Sequence, residues 1–453
     1  MMQNIQNIME TLSNWVWGPY MLILIVGTGI FLTFRLLFWQ FRMLPLAFKQ
    51  VFGKHPENKN EGDISQFASL MTALSATIGT GNIAGVATAC VLGGPGAVFW
   101  MWMTALFGMA TKYGEGVLAV KYRIKNEHGE MSGGPMYYIE RGLGSKWKWL
   151  AVLFALFGTL ASFGIGSSVQ SNTVALAVEN SLGISTLTTG IVITIFSALV
   201  ILGGIKTISK ASSVIVPIMA IGYVVGGLII ILNNLDLVIP ALKMIFTYAF
   251  TGEAAAGGAI GAAIRYGVAR GVFSNEAGMG SAPIAAAAAK TDHPVRQGLV
   301  SMTGTFLDTI IVCSITGIVL VMGFIMAGQS FGEQTGAVLT ISVFDQLLPG
   351  FGGWVVTFGV IFFAYSTILG WSYYGEKCYS YLFGDKTILI YRIVYIATVF
   401  IGCVVTLDLV WLFADTFNGL MAAPNCLALL LLSGVIVKES KDFIARRKSG
   451  ELY

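Results

Sequence analysis

The chain has 453 residues, of which 55% are hydrophobic and only 11% are charged, and its mean hydropathy is +0.76. A soluble domain carries about 25% charged residues, so this composition excludes an ordinary soluble protein. In lipid every backbone polar group must be satisfied internally, and the long apolar runs predict an all-α integral membrane protein.

Eleven apolar stretches each come close to the roughly 20 residues that cross a bilayer as a helix. They cover residues 15–38, 67–92, 96–120, 149–179, 184–204, 211–232, 257–289, 299–328, 350–374, 388–405 and 409–437. Three amphipathic segments, 131–144, 237–250 and 335–348, are predicted to lie at the interface or to cap a gate. The polar start lacks a basic region, so no cleavable signal peptide is expected.

The distribution of lysine and arginine predicts the orientation of the chain. These residues follow spans 1, 3, 5, 7 and 9 and fill the tail, whereas the opposite loops contain a single cation, Lys243. Cytoplasmic loops carry the excess of positive charge, so we predict a cell-membrane protein with its N-terminus outside and its C-terminus in the cytoplasm. The same loops account for the net charge of +4, which leaves nucleic-acid binding without support.

Span 2 is interrupted by a glycine-rich run from Ser75 to Gly85. Each glycine weakens a helix by about 1 kcal/mol relative to alanine, which favours a break near Gly79–Gly81. At such a break, the free N–H groups of the outer half suit a carboxylate, and the free carbonyls of the inner half suit Na⁺ or an ammonium group. The alternative is a stripe of small residues for helix packing. The hydroxyl and amide groups available to the freed backbone are those of Ser75, Thr77, Thr80 and Asn82.

Span 7 carries a second interruption, between Ala269 and Ala282, with its polar centre at Phe273–Glu276. An unpaired charge at membrane depth costs at least about 2.5–3.5 kcal/mol. We therefore predict that Arg270 and Glu276 form a structural ion pair. The neighbouring Ser274 and Asn275 are predicted to contact a ligand or an ion.

Other spans contain isolated polar groups. Gln170 in span 4 joins helices or contacts substrate, and these two interpretations have equal support. Asp308 in span 8 and Asp415 in span 11 carry a proton or, as we favour, neutralise an arginine. In span 9, Ser366 and Thr367 offer oxygen ligands for Na⁺, but taken alone they favour hydrogen bonds to their own helix.

The two broken spans open two blocks of five spans, 66–232 and 257–437. Because five is odd, the second block enters the membrane from the opposite side, which is an inverted-topology repeat. The prediction is an eleven-helix fold in which residues 1–65 add a helix and a cytoplasmic loop. Residues 233–256 connect the blocks outside, and 438–453 form a cytoplasmic tail.

Three stretches resemble one known family. Gly93–Gly108 (GGPGAVFWMWMTALFG), Met131–Tyr138 (MSGGPMYY) and Ala269–Gly278 (ARGVFSNEAG) are similar to sequences of the sodium:alanine/glycine symporters. The resemblance covers nearly the whole chain. It implies a five-plus-five inverted repeat like that of the bacterial leucine transporter and of the amino acid–polyamine–organocation superfamily.

The resemblance also implies roles for individual residues. The amides of Thr80 and Gly81 would bind the substrate carboxylate, and the carbonyls of Thr77 and Phe273 would face its ammonium group. Phe273, Gln170 and Trp371 would form the walls of a small side-chain pocket. The predicted substrate-binding set is Thr77, Gly79, Thr80, Gly81, Asn82, Gln170, Phe273, Ser274, Asn275 and Trp371. The implied Na⁺ ligands are the carbonyls of Ser75, Ile78 and Phe363 and the hydroxyls of Ser366 and Thr367.

Two competing functions are weaker. A channel needs a continuous pore, whereas two breaks that meet at one midplane site favour occlusion. An enzyme needs a nucleophile–base pair, a metal cluster or a cofactor motif, and the five cysteines and three histidines form no such pattern. We therefore predict a monomeric, Na⁺-coupled symporter of alanine and glycine, working in the lipid bilayer by alternating access, with no cofactor. Proton coupling through Asp308 or Asp415 is the open alternative.

Overall fold

The computed structural model describes residues 2–53, 60–251, 260–332, 334–405 and 408–452. Part of the predicted loop in 1–65, the end of the predicted connection 233–256 and the start of predicted span 257–289 lie outside these residues. The described chain is almost entirely helical. Its two short strands, Ile124–Lys125 and Met131–Ser132, pair antiparallel, with Ile124 opposite Ser132.

The first half of the chain contains thirteen α-helices within the described residues. They are α1 (Met2–Val16), α2 (Pro19–Arg35), α3 (Trp39–Arg42), α4 (Leu44–Phe52), α5 (Gln66–Thr77), α6 (Ala84–Gly93), α7 (Ala97–Lys121), α8 (Pro135–Tyr138), α9 (Lys148–Ala161), α10 (Val169–Leu182), α11 (Thr186–Ile201), α12 (Gly204–Asn233) and α13 (Leu235–Tyr248). A 3₁₀ turn at Thr80–Asn82 separates α5 from α6, and a π-helical turn at Ser162–Ser168 joins α9 to α10.

The second half follows with ten more α-helices in the part that the structure describes. They are α14 (Ile260–Asn275), α15 (Ala282–Ala286), α16 (Pro294–Thr305), α17 (Ser314–Met326), α18 (Gly336–Leu347), α19 (Gly352–Phe383), α20 (Ile388–Val404), α21 (Asp408–Leu420), α22 (Ala422–Leu431) and α23 (Ser433–Lys448). A π-helical turn at Phe306–Cys313 joins α16 to α17.

Six described helical segments are long and apolar enough to cross a membrane, or up to eight if each bent pair is one span. The six are Gln6–Arg35, Ser145–Leu182, Gly204–Asn233, Pro294–Met326, Gly352–Phe383 and Asp385–Val404, and the bent pairs include α5 with α6. A multi-pass, all-helical membrane protein is thus confirmed. Other predicted spans coincide with helices that are shorter or contain charges. Helices α11 and α14 have 16 residues each, and the apolar run of α7 contains Lys112 and Glu115.

Side chains are distributed as expected for a bundle in lipid. Large apolar side chains such as Leu199, Ile218 and Ile239 are exposed on the outside, whereas Asp308 and Ser366 are fully buried. Since lipid solvates apolar groups and water does not reach the core, polar groups must find partners inside the bundle.

Two of the three segments predicted to be non-spanning are short helices, since α13 and α18 coincide with 237–250 and 335–348. The third, 131–144, is no single surface helix. It contains a strand, α8 and a π-helical turn at Ile139–Leu143, and Met131–Ile139 is buried throughout.

The packing brings the two interrupted spans to the centre. The long helix α19 lies against α5, α9, α10 and α12, while α7 packs on α14 and α16. Helix α14, from the second interrupted span, also packs on α6, from the first. The two interrupted spans are therefore in direct contact.

Candidate functional site

The first break lies where the glycine run predicts it. Helix α5 ends at Thr77, Gly79 is extended (φ −139°, ψ −155°), and α6 begins at Ala84 after the 3₁₀ turn. The axes of the two halves differ by 62°. The Gly79 N–H donates to Asn82 Oδ1 at 2.9 Å, so a side chain satisfies one of the amides that the break leaves without a helical partner.

The second break falls at the predicted polar centre. Helix α14 ends at Asn275, and Glu276 takes a left-handed conformation with φ +54°. Gly278 and Gly280 also have positive φ, at +91° and +83°, before α15 starts. Glycine adopts this region without the steric cost that a Cβ adds, which explains its use here. Glu276 is a rarer case, and such outliers concentrate at functional sites.

The two breaks touch each other through Gly81. A Cβ at this position would lie 3.3 Å from the Ser274 Cα and 3.4 Å from Phe273 Cδ1, tighter than or at the limit of ordinary contact. By contrast, a Cβ at Gly85 would meet nothing within 4 Å. The three glycines of the run therefore do not form one packing stripe; Gly81 alone lets the backbone of the first break approach the second.

A buried carboxylate joins the breaks. Asn82 Nδ2 donates to Asp308 Oδ1 at 2.7 Å, and Ser274 Oγ donates to Asp308 Oδ2 at 3.0 Å. Thr309 Oγ1 donates to the same Oδ2 at 2.7 Å. Within the described residues Asp308 pairs with no arginine. The predicted pairing with an arginine is wrong, because neutral donors at the two breaks satisfy the carboxylate.

A cavity of about 350 Å³ leads to the breaks from the side of α6. Thr80, Gly81 and Phe273 line it, together with Arg270 and Asp415. Its remaining lining residues are Ala84, Gly85, Thr88, Ile165, Trp411, Leu412 and Ala414. We call this space the outer cavity. It brings the N-terminal end of α6, whose N–H groups favour an anion, to the same space as the second break.

The predicted ion pair between Arg270 and Glu276 is wrong. The Glu276 carboxylate accepts hydrogen bonds from Ser281 Oγ and, at 3.1 Å, from Trp371 Nε1. The Arg270 guanidinium lies 5.7 Å from the centre of the Phe273 ring, and its charge acts on Asp415. The left-handed backbone at Glu276 directs the two side chains apart. Glu276 therefore bonds to α19, and Arg270 lines the outer cavity.

Oxygen atoms of α5 and α19 come together beside the first break. Ser366 Oγ lies 3.2 Å from the Ser75 carbonyl oxygen and 2.9 Å from that of Phe363. Thr367 Oγ1 lies 2.9 Å from the Phe363 carbonyl oxygen and 2.7 Å from where a Gly79 Cβ would be. Both hydroxyls therefore bond to their own helix, as span 9 taken alone predicts, but Ser366 also bonds to α5. Neutral hydroxyls with the free carbonyls of a broken helix suit Na⁺, and Ile78, the residue after α5, is buried at the same point.

The other predicted substrate residues are dispersed. Thr77 and Asn275 line a separate, smaller cavity on the opposite side of the breaks. Gln170 Nε2 donates to the Ile165 carbonyl within its own helical segment. Trp371 is held by Glu276 and packs closely on Gly166. Neither Gln170 nor Trp371 is among the described residues that line the outer cavity.

Sequence analysis overlooked two buried charges on α7, Lys112 and Glu115, which are 3% and 0% exposed. Glu115 Oε1 accepts from the Gly278 N–H at 3.1 Å and from Asn425 Nδ2 at 2.6 Å, so it stabilises the second break. The available signal was the presence of two charges three residues apart inside an apolar span, since ionisable residues at membrane depth are functional candidates.

Two broken helices that meet at a cavity containing Arg270 and Asp415, with a cluster of hydroxyl and carbonyl oxygens beside them, define a secondary transporter. A family model described as the sodium:alanine symporter family matches residues 2–452, and the chain belongs to this family. It is accordingly a transporter and not an enzyme, and Na⁺ is its coupling ion.

Individual relatives agree with this assignment. The chain is 59% identical over 445 residues to the sodium/alanine symporter AgcS of Methanococcus maripaludis, covering 98% of each protein. It is 39% identical over 443 residues to the amino-acid carrier protein AlsT of Bacillus subtilis, covering 97% and 92%. The solved structure of MhsT in complex with L-phenylalanine has the same fold, with a TM-score of 0.57 at 15% identity over 84% of this chain and 93% of that one.

Proposed function

We propose that this protein imports alanine and glycine together with Na⁺, and that both bind where the two broken helices meet. The observation that carries the proposal is the contact of Gly81 with Phe273 and Ser274 at the outer cavity, with the oxygen atoms of Ser75 and Ser366 close to the same break. The relative from Methanococcus maripaludis, a sodium/alanine symporter at 59% identity, supports the choice of substrate.

In this proposal the amino acid binds in the outer cavity. Its carboxylate accepts hydrogen bonds from the amides of Thr80 and Gly81, where the N-terminal end of a half-helix stabilises negative charge. Its ammonium group faces the free carbonyls at Thr77 and Phe273. The Phe273 ring stands beside Gly81, which limits the side chain to hydrogen or methyl. Asn82 and Ser274 hold the two breaks together through Asp308 and do not need to touch the substrate.

Na⁺ occupies the neighbouring pocket. Its ligands are the carbonyls of Ser75, Ile78 and Phe363 and the hydroxyls of Ser366 and Thr367, all of them buried. Because Ser75 and Ile78 belong to the inner half of the first break and Phe363 to α19, the ion links these two elements. Binding of Na⁺ therefore favours one arrangement of the repeats, and release of the ion permits the other.

We further propose the eleven-span topology with a five-plus-five inverted repeat, N-terminus outside and C-terminus in the cytoplasm. The fold shared with MhsT and the two breaks, one near the start of each block, support this arrangement. The outer cavity then opens to the outside. The protein acts as a monomer, since both breaks and the cation pocket come from one chain.

The test is uptake of labelled alanine by purified protein in proteoliposomes. Accumulation is expected with an inward Na⁺ gradient and not with an equal K⁺ gradient, and it should survive a proton ionophore. Excess unlabelled glycine should compete. Accumulation that follows a proton gradient instead would contradict Na⁺ coupling, and single-channel currents would contradict alternating access.

A further inference from the structure

A second, smaller cavity adjoins both breaks from the side of α5, whereas the outer cavity adjoins them from the side of α6. Its volume is about 20 Å³, and it is lined by Thr77 of the first break and Asn275 of the second. Lys112 of α7 and Gln297 of α16 line it from the other side. We call this space the inner cavity.

Lys112 brings a positive charge to the inner cavity. It is 3% exposed and forms no hydrogen bond or ion pair with any residue that the structure describes. Its charge acts on Glu115, Glu276 and Asp308. Each of these carboxylates, however, accepts its hydrogen bonds from neutral groups. Their negative charges offset that of the Lys112 ammonium group, which has no direct hydrogen-bond acceptor among the described residues.

Gln297 provides a second polar group without a partner. Its Nε2 donates to Ser69 Oγ at 3.1 Å, whereas its buried Oε1 has no hydrogen-bond partner. A buried acceptor without a partner costs free energy unless something bridges it to a donor, and Lys112 lines the same cavity. A cavity of about 20 Å³ is large enough for one water molecule, which needs roughly 10–15 Å³, and too small for an amino acid.

We propose that the inner cavity is the closed form of an exit site, in which Lys112 binds the carboxylate of the amino acid after it leaves Gly81. The proposal rests on the proposed function. Thr77 and Asn275 belong to the breaks and to the inner cavity at once, so they connect the two positions. The inner half of span 2, α5, contributes Ser69, Ala73 and Thr77 to the wall, and its movement would enlarge the space.

The charge of Lys112 also determines which solute uses this route. A carboxylate is attracted by a desolvated ammonium group and forms charge-assisted hydrogen bonds with it. Na⁺ is repelled by the same group. The amino acid and the ion therefore leave by different contacts, the amino acid past Lys112 and Na⁺ from the pocket of Ser366 and Thr367.

The experiment compares alanine transport from the two faces of the membrane, in right-side-out and inside-out vesicles. Lys112→Gln removes the charge, and the KM for alanine from the cytoplasmic face should rise about tenfold or more, as loss of a hydrogen bond to a charged group does. The KM from the outer face should stay within about twofold, since K112Q leaves the outer cavity unchanged. Lys112→Arg keeps the charge and should preserve both values.

A second variant keeps the test decisive if Lys112→Gln folds poorly. Gln297→Glu keeps the shape of the side chain but places a carboxylate beside Lys112, where it competes with the substrate. The same asymmetric rise in the cytoplasmic KM is expected. An equal change from both faces, including loss of transport in both variants, overturns the exit site. Failure of the unmodified protein to couple alanine to Na⁺ would instead overturn the proposed function.

Discussion

Asn82 Nδ2 lies 2.7 Å from the carboxylate of Asp308, although the two residues are 226 positions apart in the chain. The same carboxylate accepts from Ser274 of the second break. Asn82 in turn accepts from the Gly79 N–H. One buried side chain of the segment between α16 and α17 thus holds both interrupted spans in register, which is the condition for a single binding site between them.

Replacing Asp308 should disrupt this link. Asp308→Asn puts a donor where Asn82 or Ser274 now donates, and a hydrogen bond to a charged group contributes about 1.5–3 kcal/mol. We expect Na⁺-driven alanine uptake to fall about tenfold or more, at every pH tested. Uptake should be measured in proteoliposomes between pH 6 and pH 8.

Thr303→Val is the matched control for this variant, because Thr303 is a buried polar side chain of α16 that bonds only its own helix. Its uptake should stay within about twofold of the unmodified protein, since surrounding helix contacts are kept. If Asp308→Asn abolished the pH dependence of alanine uptake and left the uptake rate at neutral pH unchanged, Asp308 would instead be a proton carrier.

The hydroxyls of α19 should determine the affinity for Na⁺. Ser366→Ala and Thr367→Ala each remove one proposed ligand, and a lost ligand should raise the half-saturating Na⁺ concentration about tenfold, or about 1.4 kcal/mol. The dependence of alanine uptake on Na⁺ concentration measures it. Ser372→Ala is the control, because Ser372 is buried on the same helix and bonds only the Leu369 carbonyl. An unchanged Na⁺ dependence in both site variants would rule out this pocket.

A glycine pair tests the contact between the breaks. The Cβ of Gly81→Ala would lie 3.3 Å from the Ser274 Cα, whereas that of Gly222→Ala, on the exposed side of α12, meets open space. Overpacking typically costs about 1–3 kcal/mol. We expect Gly81→Ala to weaken alanine binding about fivefold or more, as measured by competition against labelled substrate, and Gly222→Ala to bind within about twofold of the original. Equal behaviour of the two variants would place the site elsewhere.

A double-mutant cycle separates the two possible partners of Arg270. Arg270 and Asp415 share the outer cavity, so Arg270→Gln and Asp415→Asn should be coupled by about 0.5 kcal/mol or more in the kcat/KM of uptake. Arg270 and Glu276 have no side-chain contact with each other in the part of the chain that the structure describes, so the effects of Arg270→Gln and Glu276→Gln should add within about 0.5 kcal/mol. Coupling between Arg270 and Glu276 well above about 0.5 kcal/mol would instead support the ion pair that the sequence predicts.

Much of the fold was accessible from local patterns. The apolar runs predicted a multi-pass helical membrane protein, because a bilayer requires about 20 apolar residues for each crossing, and six to eight described segments meet that length and composition. The first break was located to within a residue or two, at Thr77–Ala84, and the second begins at the end of its predicted centre, after Asn275, since glycine and polar groups weaken a helix wherever they occur. Span 3 was also predicted, as α7. The prediction did not include a role for its buried Lys112 and Glu115, because the residues around them are strongly apolar.

The partners of the buried polar groups could not be predicted in this way. Arg270 and Glu276 lie six residues apart and carry opposite charges, which suggests an ion pair. The left-handed backbone at Glu276 instead directs its carboxylate to Trp371 of α19. Asp308 similarly finds Asn82 and Ser274 in place of an arginine. The sequence by itself determined that the chain is a membrane protein, where its helices break and to which family it is similar. Only the tertiary structure decided which charges face a cavity and which are neutralised, because hydrogen bonds in a dry interior depend on ångström distances between residues remote in the chain.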